Sequence, residues 1–380
     1  MSIVLASAKP RAAFIDHIRV ALTVLVIWHH SAIMFGGPGG WYLRTPADGK
    51  PTVILFTLLC SVDQAFFMGA FFLLSGYFTP RALDSKGVWK FAADRFLRLG
   101  IPILVYGFVI GPLTIILAAF AQGASVASFW GRLLGGPRFE IGPLWFAFAL
   151  LLFNAGFVAW RYVRPGATSV AGAATQPAAQ LTHGRLAAAV VVTTAGAFVL
   201  RLWMPVGAQW WSLQIGYFSS YMVLFSAGCW LAHGRVLEAI DGHLANPWGW
   251  LSVLTVPSLF MYAIAHGALR GVAFESNGGW TLPALAYALW EPMVAWGIIL
   301  MLLWRFRVRA HAAPWWDTLS PLAYAAYIIH PPFLVLFAWM LGDWAAPSLV
   351  KFAVTAACAP LVIFVASAGL LRLPGARRVL

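Results

Sequence analysis

Long apolar runs, separated by short polar or Gly/Pro-rich stretches, recur along the whole chain. A helix needs about 20 consecutive apolar residues to cross the roughly 30 Å hydrocarbon core of a membrane. Ten runs of suitable length predict helices at roughly 14–36, 53–78, 96–120, 142–161, 186–204, 213–232, 248–268, 280–304, 319–341 and 347–371. The intervening residues predict turns, such as GGPGG at 36–40, and a small, polar, flexible loop at 165–184. The pattern therefore predicts an all-α polytopic membrane bundle of about ten transmembrane helices.

Composition supports this class and argues against a soluble protein. Of the 380 residues, 61% are hydrophobic and only 10% are charged, whereas a soluble domain has about 25% charged residues. The three cysteines, Cys60, Cys229 and Cys358, lie in apolar runs without metal-ligand spacing, so we expect packed thiols and no metal site. The apolar start of the chain is too short for a signal peptide, so the first long run is expected to remain as a span. We expect one domain over 1–380, because no internal repeat and no appended soluble region is recognisable.

The distribution of positive charge predicts the orientation. The net charge is +13, which by itself could suggest nucleic acid. Of the 25 Lys and Arg residues, Arg19 lies in the first span and seventeen fall on the side of the two termini. The other side has seven: Arg44, Lys50, Arg132, Arg138, Arg201, Arg270 and Lys351. Cytoplasmic loops of membrane proteins carry this excess. Both termini are therefore predicted to be cytoplasmic, and no nucleic-acid partner is expected.

The first span carries ionisable residues that are costly in hydrocarbon. A central Arg or Asp costs about 2.5–3.5 kcal/mol on insertion scales, and such residues are usually functional. Arg19 and His30 are eleven residues apart, which places them within roughly 20° on one helix face and about 16 Å apart along the axis. His29 points elsewhere, and Asp16 can pair with Arg19. The alternative is a helix end with snorkelling charges and a histidine bonded to a neighbouring helix.

Other spans contain isolated polar residues for which a functional and a structural interpretation are both open. Glu291 is an acid well inside the eighth span and must pair, with His30 or Arg201 as candidates. Asp63, Gln64 and Ser75 in the second span could line a pocket or bond neighbouring helices. His330, before two prolines, could be catalytic or could satisfy a kinked helix, and Trp145 could pack or stack on a sugar.

Five stretches, in order, resemble the acyltransferase 3 family of integral membrane O-acyltransferases. They are Phe14-Ile15-Asp16 with Arg19 and His30, FFMGAFFLLSGYF at 66–78, KGVWKFAADRFLRLGIPIL at 86–104, GPLWFAFALLLF at 142–153 and LSPLAYAAYIIHPPFLVL at 319–336. The third is similar to the family's basic loop. The chain looks most similar to the subgroup that succinylates periplasmic glucans. It departs from the family pattern at Asp63-Gln64, where many members have a histidine.

The resemblance implies transfer of a short acyl group, acetyl or succinyl, from cytoplasmic acyl-coenzyme A to a carbohydrate hydroxyl of the cell envelope. It implies a bacterial-type inner membrane as the location and no permanently bound cofactor. Histidine suits proton transfer at neutral pH, so His30 is predicted to be the general base, with Glu291 orienting it or binding hydroxyls. Arginine suits phosphate, so Arg19, Arg95 and Arg98 are predicted to hold the donor, and Arg19 is also counted with His30 and Glu291 among the catalytic residues. The alternative for Arg95 and Arg98 is the ordinary positive charge of a cytoplasmic loop. The predicted substrate-binding residues are Asp63, Gln64, Ser75, Trp145 and His330.

Two alternatives remain from the sequence. The same chemistry could act on a lipid or a small-molecule natural product. A membrane transporter could instead use buried Arg, Glu and His as a proton or substrate path. Paired broken helices in inverted repeats would favour transport, and none is recognisable in the sequence.

Overall fold

A computed structural model describes residues 13–125, 139–164, 180–309 and 315–380, and these residues form helices without a β-sheet. Nine helices in these ranges are long and apolar enough to cross a membrane, and a tenth, α6, is a shorter apolar helix. The helices are α1 (Ala13–Met34), α2 (Lys50–Lys86), α3 (Val88–Ala121), α4 (Gly142–Val163), α5 (His183–Trp203), α6 (Ile215–Leu231), α7 (Gly242–His266), α8 (Leu282–Val308), α9 (Trp315–Met340) and α10 (Ser348–Leu370). The predicted all-α polytopic architecture is confirmed.

The region between the second and third spans differs from the prediction. The apolar pattern placed the end of one helix at 78 and the start of the next at 96, but α2 continues to Lys86 and α3 begins at Val88. Hydropathy detects only the part of a helix that lies in hydrocarbon, whereas these extensions are polar. They are held by ion pairs of Asp94 with Lys86 (2.9 Å) and Arg98 (3.4 Å). The segment resembling a basic loop is therefore helical, and the break is at Gly87, whose φ of 73° is in the left-handed region.

Helix α1 lies at the centre of the bundle, where it packs against α2, α8, α9 and α10. Small residues bring other pairs of helices close together. A Cβ on Gly76 of α2 would lie 2.2 Å from the carbonyl oxygen of Phe225 in α6, and a Cβ on Gly228 would lie 2.1 Å from that of Leu73. These close approaches leave no room for a larger residue at either position, so the two glycines set the spacing between α2 and α6.

Candidate active site

Two histidines from distant parts of the chain meet in the bundle. His30, near the end of α1, and His330, in α9, approach with 3.0 Å between His30 Nδ1 and His330 Nε2. The other ring nitrogen of His330, Nδ1, lies 2.6 Å from the backbone carbonyl oxygen of Tyr327. His330 is completely buried, whereas His30 is half-buried. The sequence placed these residues in separate spans without linking them.

This chain of hydrogen bonds determines which nitrogens carry protons when both rings are neutral. A carbonyl oxygen only accepts, so His330 Nδ1–H donates to Tyr327, and His330 Nε2 is left as an acceptor. His30 Nδ1–H must then donate to His330 Nε2. His30 Nε2 consequently has its lone pair available, which is the form that a general base requires.

Trp41, from the loop between α1 and α2, covers the histidine pair. Its ring stacks on His30 with centroids 4.1 Å apart and an interplanar angle of 18°, and more distantly on His330 at 5.8 Å. Its indole Nε1–H is buried and has no hydrogen-bond partner among the described residues. A buried donor without a partner is uncommon and costs free energy, so this N–H is available to an oxygen of a bound ligand.

A chain of hydroxyl groups holds this loop in place. Tyr42 Oη lies 3.0 Å from Tyr106 Oη and donates to Glu140 Oε1 at 3.4 Å, so Tyr106 donates to Tyr42. Burial raises the pKa of Tyr42 above its ordinary value, which keeps this phenol protonated. Gly142 has φ +45°, and a Cβ there would lie 2.2 Å from Tyr42 Oη. A side chain at position 142 would therefore displace one of these two tyrosines.

His29 points away from the Arg19 face, as the helical geometry predicts. Its Nδ1 lies 3.6 Å from Asp63 Oδ2, both side chains are buried, and its ring contacts Phe67 at 4.9 Å. The ring of His29 also meets that of His30 edge to face at 5.5 Å. Asp63 therefore approaches His29, which in turn contacts His30, and Asp63 and His30 do not touch directly.

Contacts outside the histidine pair are made by three other predicted substrate-binding residues: Gln64, Ser75 and Trp145. Gln64 Nε2 donates to Tyr221 Oη at 2.9 Å, and Trp145 stacks on the Tyr221 ring at 5.7 Å. Ser75 is half-buried, and its backbone carbonyl accepts the hydroxyl of Thr79. The contact of Gln64 is a hydrogen bond between helices, and that of Trp145 is ring packing. These are the structural interpretations that the sequence left open beside substrate binding.

Glu291 pairs with Arg201, one of its two candidate partners, and not with His30. Both side chains are 1% exposed, and Arg201 also donates through Nε to the carbonyl of Gly216 at 3.0 Å. The guanidinium lies over the rings of Tyr217 and Tyr287, at 5.4 and 4.8 Å. Glu291 is thus part of a buried ion pair, and among the described residues it makes no contact with His30 through which it could orient that ring.

The three arginines predicted to hold the donor gather at the end of α1 opposite His30. Arg19 pairs with Asp16 at 2.9 Å, as predicted, and lies over the Phe78 ring. Arg95 and Arg98 lie within the first turns of α3, and Arg95 is close enough to both Arg19 and Arg98 to be repelled by their charges. The Nε of Arg95 is buried without a hydrogen-bond partner among the described residues.

Helix α3 is also irregular here. Two stretches, Phe96–Gly100 and Tyr106–Ile110, have the wider π-helical hydrogen bonding, which is frequent at functional sites. One carries Arg98 and the other Tyr106.

Trp41, Tyr42, Tyr106, Tyr327 and Glu140 were missed by sequence reasoning. A signal existed for Tyr327, which stands three residues before His330, the spacing at which a helical backbone carbonyl and a side chain can meet. Trp41 and Tyr42 follow GGPGG directly, and a glycine-rich turn lets a loop fold back over a helix end. Nothing local distinguishes Tyr106 from the many other aromatic residues of the spans.

The His30–His330 pair is arranged for proton transfer. Three arginines lie towards one end of α1, and Trp41 stacks on the histidines at the other. Comparison with known families is decisive on the class: a family model described as an acyltransferase domain, Acyl_transf_3, matches residues 12–371. The chain belongs to the acyltransferase 3 family. It is therefore a multi-pass membrane acyltransferase, and the family match favours this class over the transporter alternative. No curated protein and no solved structure matches the chain.

Proposed function

We propose that this acyltransferase transfers a short acyl group, acetyl or succinyl, from cytoplasmic acyl-coenzyme A to a hydroxyl of a cell-envelope carbohydrate in a bacterial inner membrane. The observation that carries the proposal is the His30–His330 pair, which leaves His30 Nε2 as an unprotonated, half-buried base. His330 accepts from His30 and is a positioning residue in this scheme, a role different from the substrate binding expected from the sequence.

The reaction follows from these proton positions. His30 Nε2 takes the proton of the acceptor hydroxyl as its oxygen attacks the thioester carbonyl carbon. In the resulting imidazolium, His30 Nδ1–H donates to neutral His330 Nε2, and this bond strengthens because its donor has become charged. When the carbon–sulfur bond breaks, His30 Nε2–H returns the proton to the leaving thiolate of coenzyme A. An ester forms, a thioester is lost, and the enzyme regains its starting state.

The developing oxyanion needs hydrogen-bond donors that are already in place. Trp41 Nε1–H is a suitable donor because it is buried, unpartnered among the described residues and carried by a ring that stacks on His30. The tyrosine chain through Tyr42 holds that ring, so little rearrangement is required during the reaction.

The donor would lie along α1. Arg19, Arg95 and Arg98 offer guanidinium groups that suit phosphates, and the buried Nε of Arg95 needs an acceptor. Arg19 lies about 16 Å along the helix from His30. A donor with a phosphorylated head and a long neutral arm that ends in a thioester fits this separation of cationic and basic groups.

The proposal is tested by mass spectrometry of surface glycans and periplasmic glucans from a deletion strain complemented with wild-type protein or with His30→Ala. We expect an acyl group to disappear on deletion, to return with the wild type and to remain absent with His30→Ala at equal membrane abundance. Unchanged glycans together with a lost acyl mark on a lipid or a small molecule would replace the carbohydrate acceptor by the alternative kept from the sequence.

A further inference from the structure

A cavity of about 590 Å³ opens on the side of the bundle between α7, α8 and the starts of α1 and α9. This volume lies within the range of ligand pockets, about 300–1,000 Å³. Its lining consists of His17, Asn246, Gly249, Trp250, Ser252, Val253, Gly297, Ile298, Met301, Leu302, Arg305, Phe306, Arg309 and Trp316. None of the functional residues described above lies in its wall.

The deeper part of this groove is apolar except for Ser252, whose hydroxyl donates to the carbonyl of Gly249, and it is about one leaflet long. Gly249 belongs to a tightly packed part of the wall, where a Cβ would lie 2.2 Å from Met301 Cε. From Arg309 to Gly297 the wall runs twelve residues along α8, or about 18 Å, compared with about 15 Å for half of the hydrocarbon core. Trp250 and Val253 on α7 are 68% and 58% exposed. The groove therefore opens towards the lipid and runs from the headgroup region almost to the mid-plane.

The mouth of the groove is cationic. Arg305 and Arg309 are exposed at the end of α8, and among the described residues the Arg305 side chain contacts the sulfur of Met301 at 3.2 Å and the ring of Trp304. The described lining contains no Asp or Glu. Its remaining ionisable group, His17, is buried and bonds to Asp317 at 2.9 Å. Two arginines above an apolar slot complement a lipid that carries a phosphate and a hydrocarbon chain.

We propose that this groove binds an anionic phospholipid of the cytoplasmic leaflet, with its phosphate between Arg305 and Arg309 and one acyl chain along Gly297, Ile298 and Val253. Basic pockets between transmembrane helices on the cytoplasmic side recognise such headgroups. The charge distribution predicts that this end of α8 is cytoplasmic. The proposal depends on that orientation and not on the acyl-transfer chemistry.

The groove is separate from the donor path. His17 and Arg19 are two residues apart on α1, which places their side chains about 200° apart around the helix axis. His17 stacks on Trp316 at 5.8 Å and faces the groove, whereas Arg19 lies over Phe78 on the other side. A ligand in one site leaves the other accessible.

The test is native mass spectrometry of the full-length protein titrated with phosphatidylglycerol or phosphatidylcholine. We expect the wild type to retain phosphatidylglycerol preferentially, and Arg305→Gln/Arg309→Gln to weaken its binding roughly tenfold or more. A matched control, Arg372→Gln/Arg378→Gln, removes two exposed arginines outside the groove and should bind like the wild type. Val253→Trp narrows the slot without changing charge and should weaken binding of phosphatidylglycerol.

Three results would overturn the proposal. Equal retention of the two lipids by the wild type would mean that bulk lipid fills the slot without selection. An equal loss in the control variant would assign the preference to general surface charge. Displacement of the lipid by coenzyme A or inorganic phosphate, with Val253→Trp unaffected, would mean that the arginines bind a free phosphate.

Discussion

Replacing His330 tests the proposed proton arrangement most directly. His330 Nε2 accepts one hydrogen bond, from His30 Nδ1 at 3.0 Å. A neutral hydrogen bond contributes about 0.5–1.5 kcal/mol and one to a charged group about 1.5–3 kcal/mol. The bond should therefore stabilise the state with protonated His30 by about 1–1.5 kcal/mol more than the resting state. At 1.36 kcal/mol per factor of ten, His330→Ala should lower kcat roughly tenfold.

The variants separate positioning from folding. His330 is fully buried, so truncation to alanine also leaves a cavity, and the folded fraction must be measured by size-exclusion chromatography in detergent. His330→Gln presents a carbonyl oxygen as an acceptor and should recover part of kcat. His266→Ala, which replaces an exposed histidine at the end of α7, is the control for histidine loss.

The assay is release of coenzyme A by purified enzyme in proteoliposomes, with the acceptor identified from the glycan comparison. We expect kcat to fall while the KM for acyl-coenzyme A stays unchanged, because His330 does not contact the donor in this scheme. The reasoning is refuted if His330→Ala keeps the wild-type kcat, or if His330→Gln is no better than His330→Ala at equal folded amounts.

Four further predictions follow from the remaining contacts. Trp41→Phe keeps the stacked ring but removes the N–H, so kcat should fall about a hundred- to a thousandfold at constant KM; an unchanged kcat would contradict the oxyanion role of Trp41. Arg95→Gln should raise the apparent KM for acyl-coenzyme A about ten- to a hundredfold, which calorimetry with a non-hydrolysable donor can check. An unaltered affinity would mean that Arg95 is ordinary positive charge of the cytoplasmic side and does not bind the donor. Glu291→Gln leaves the charge of buried Arg201 uncompensated and should destabilise the fold by about 3–5 kcal/mol, measured by thermal unfolding in detergent; a large loss of kcat without destabilisation would restore the catalytic role expected from the sequence. A reporter fused after Leu380 should read cytoplasmic, and a periplasmic signal would contradict the predicted topology.

Much of the fold could be predicted because a membrane imposes a simple rule. Each span must satisfy its backbone internally and present apolar residues over about 30 Å, so hydropathy alone located all ten helices. Local geometry also determined that Arg19 pairs with Asp16 and that His29 and His30 diverge, since residues on one helix have fixed angular relations. Hydropathy did not predict the polar extensions of α2 and α3, because ion pairs of Asp94, rather than burial of apolar residues, stabilise them.

The partners of the polar residues were decided only by the tertiary structure. His30 and His330 are 300 positions apart, and any of several helices could have brought a polar group to His30. The same is true of Glu291, whose alternatives, His30 and Arg201, could not be separated until helix packing placed α5 beside α8. Trp41 lies in a loop, where no periodicity constrains direction. The sequence therefore determined which residues are costly to bury, because that cost is a property of each residue in hydrocarbon. Helix packing determined which of these residues pair with one another, because hydrogen bonds require contact within about 3 Å.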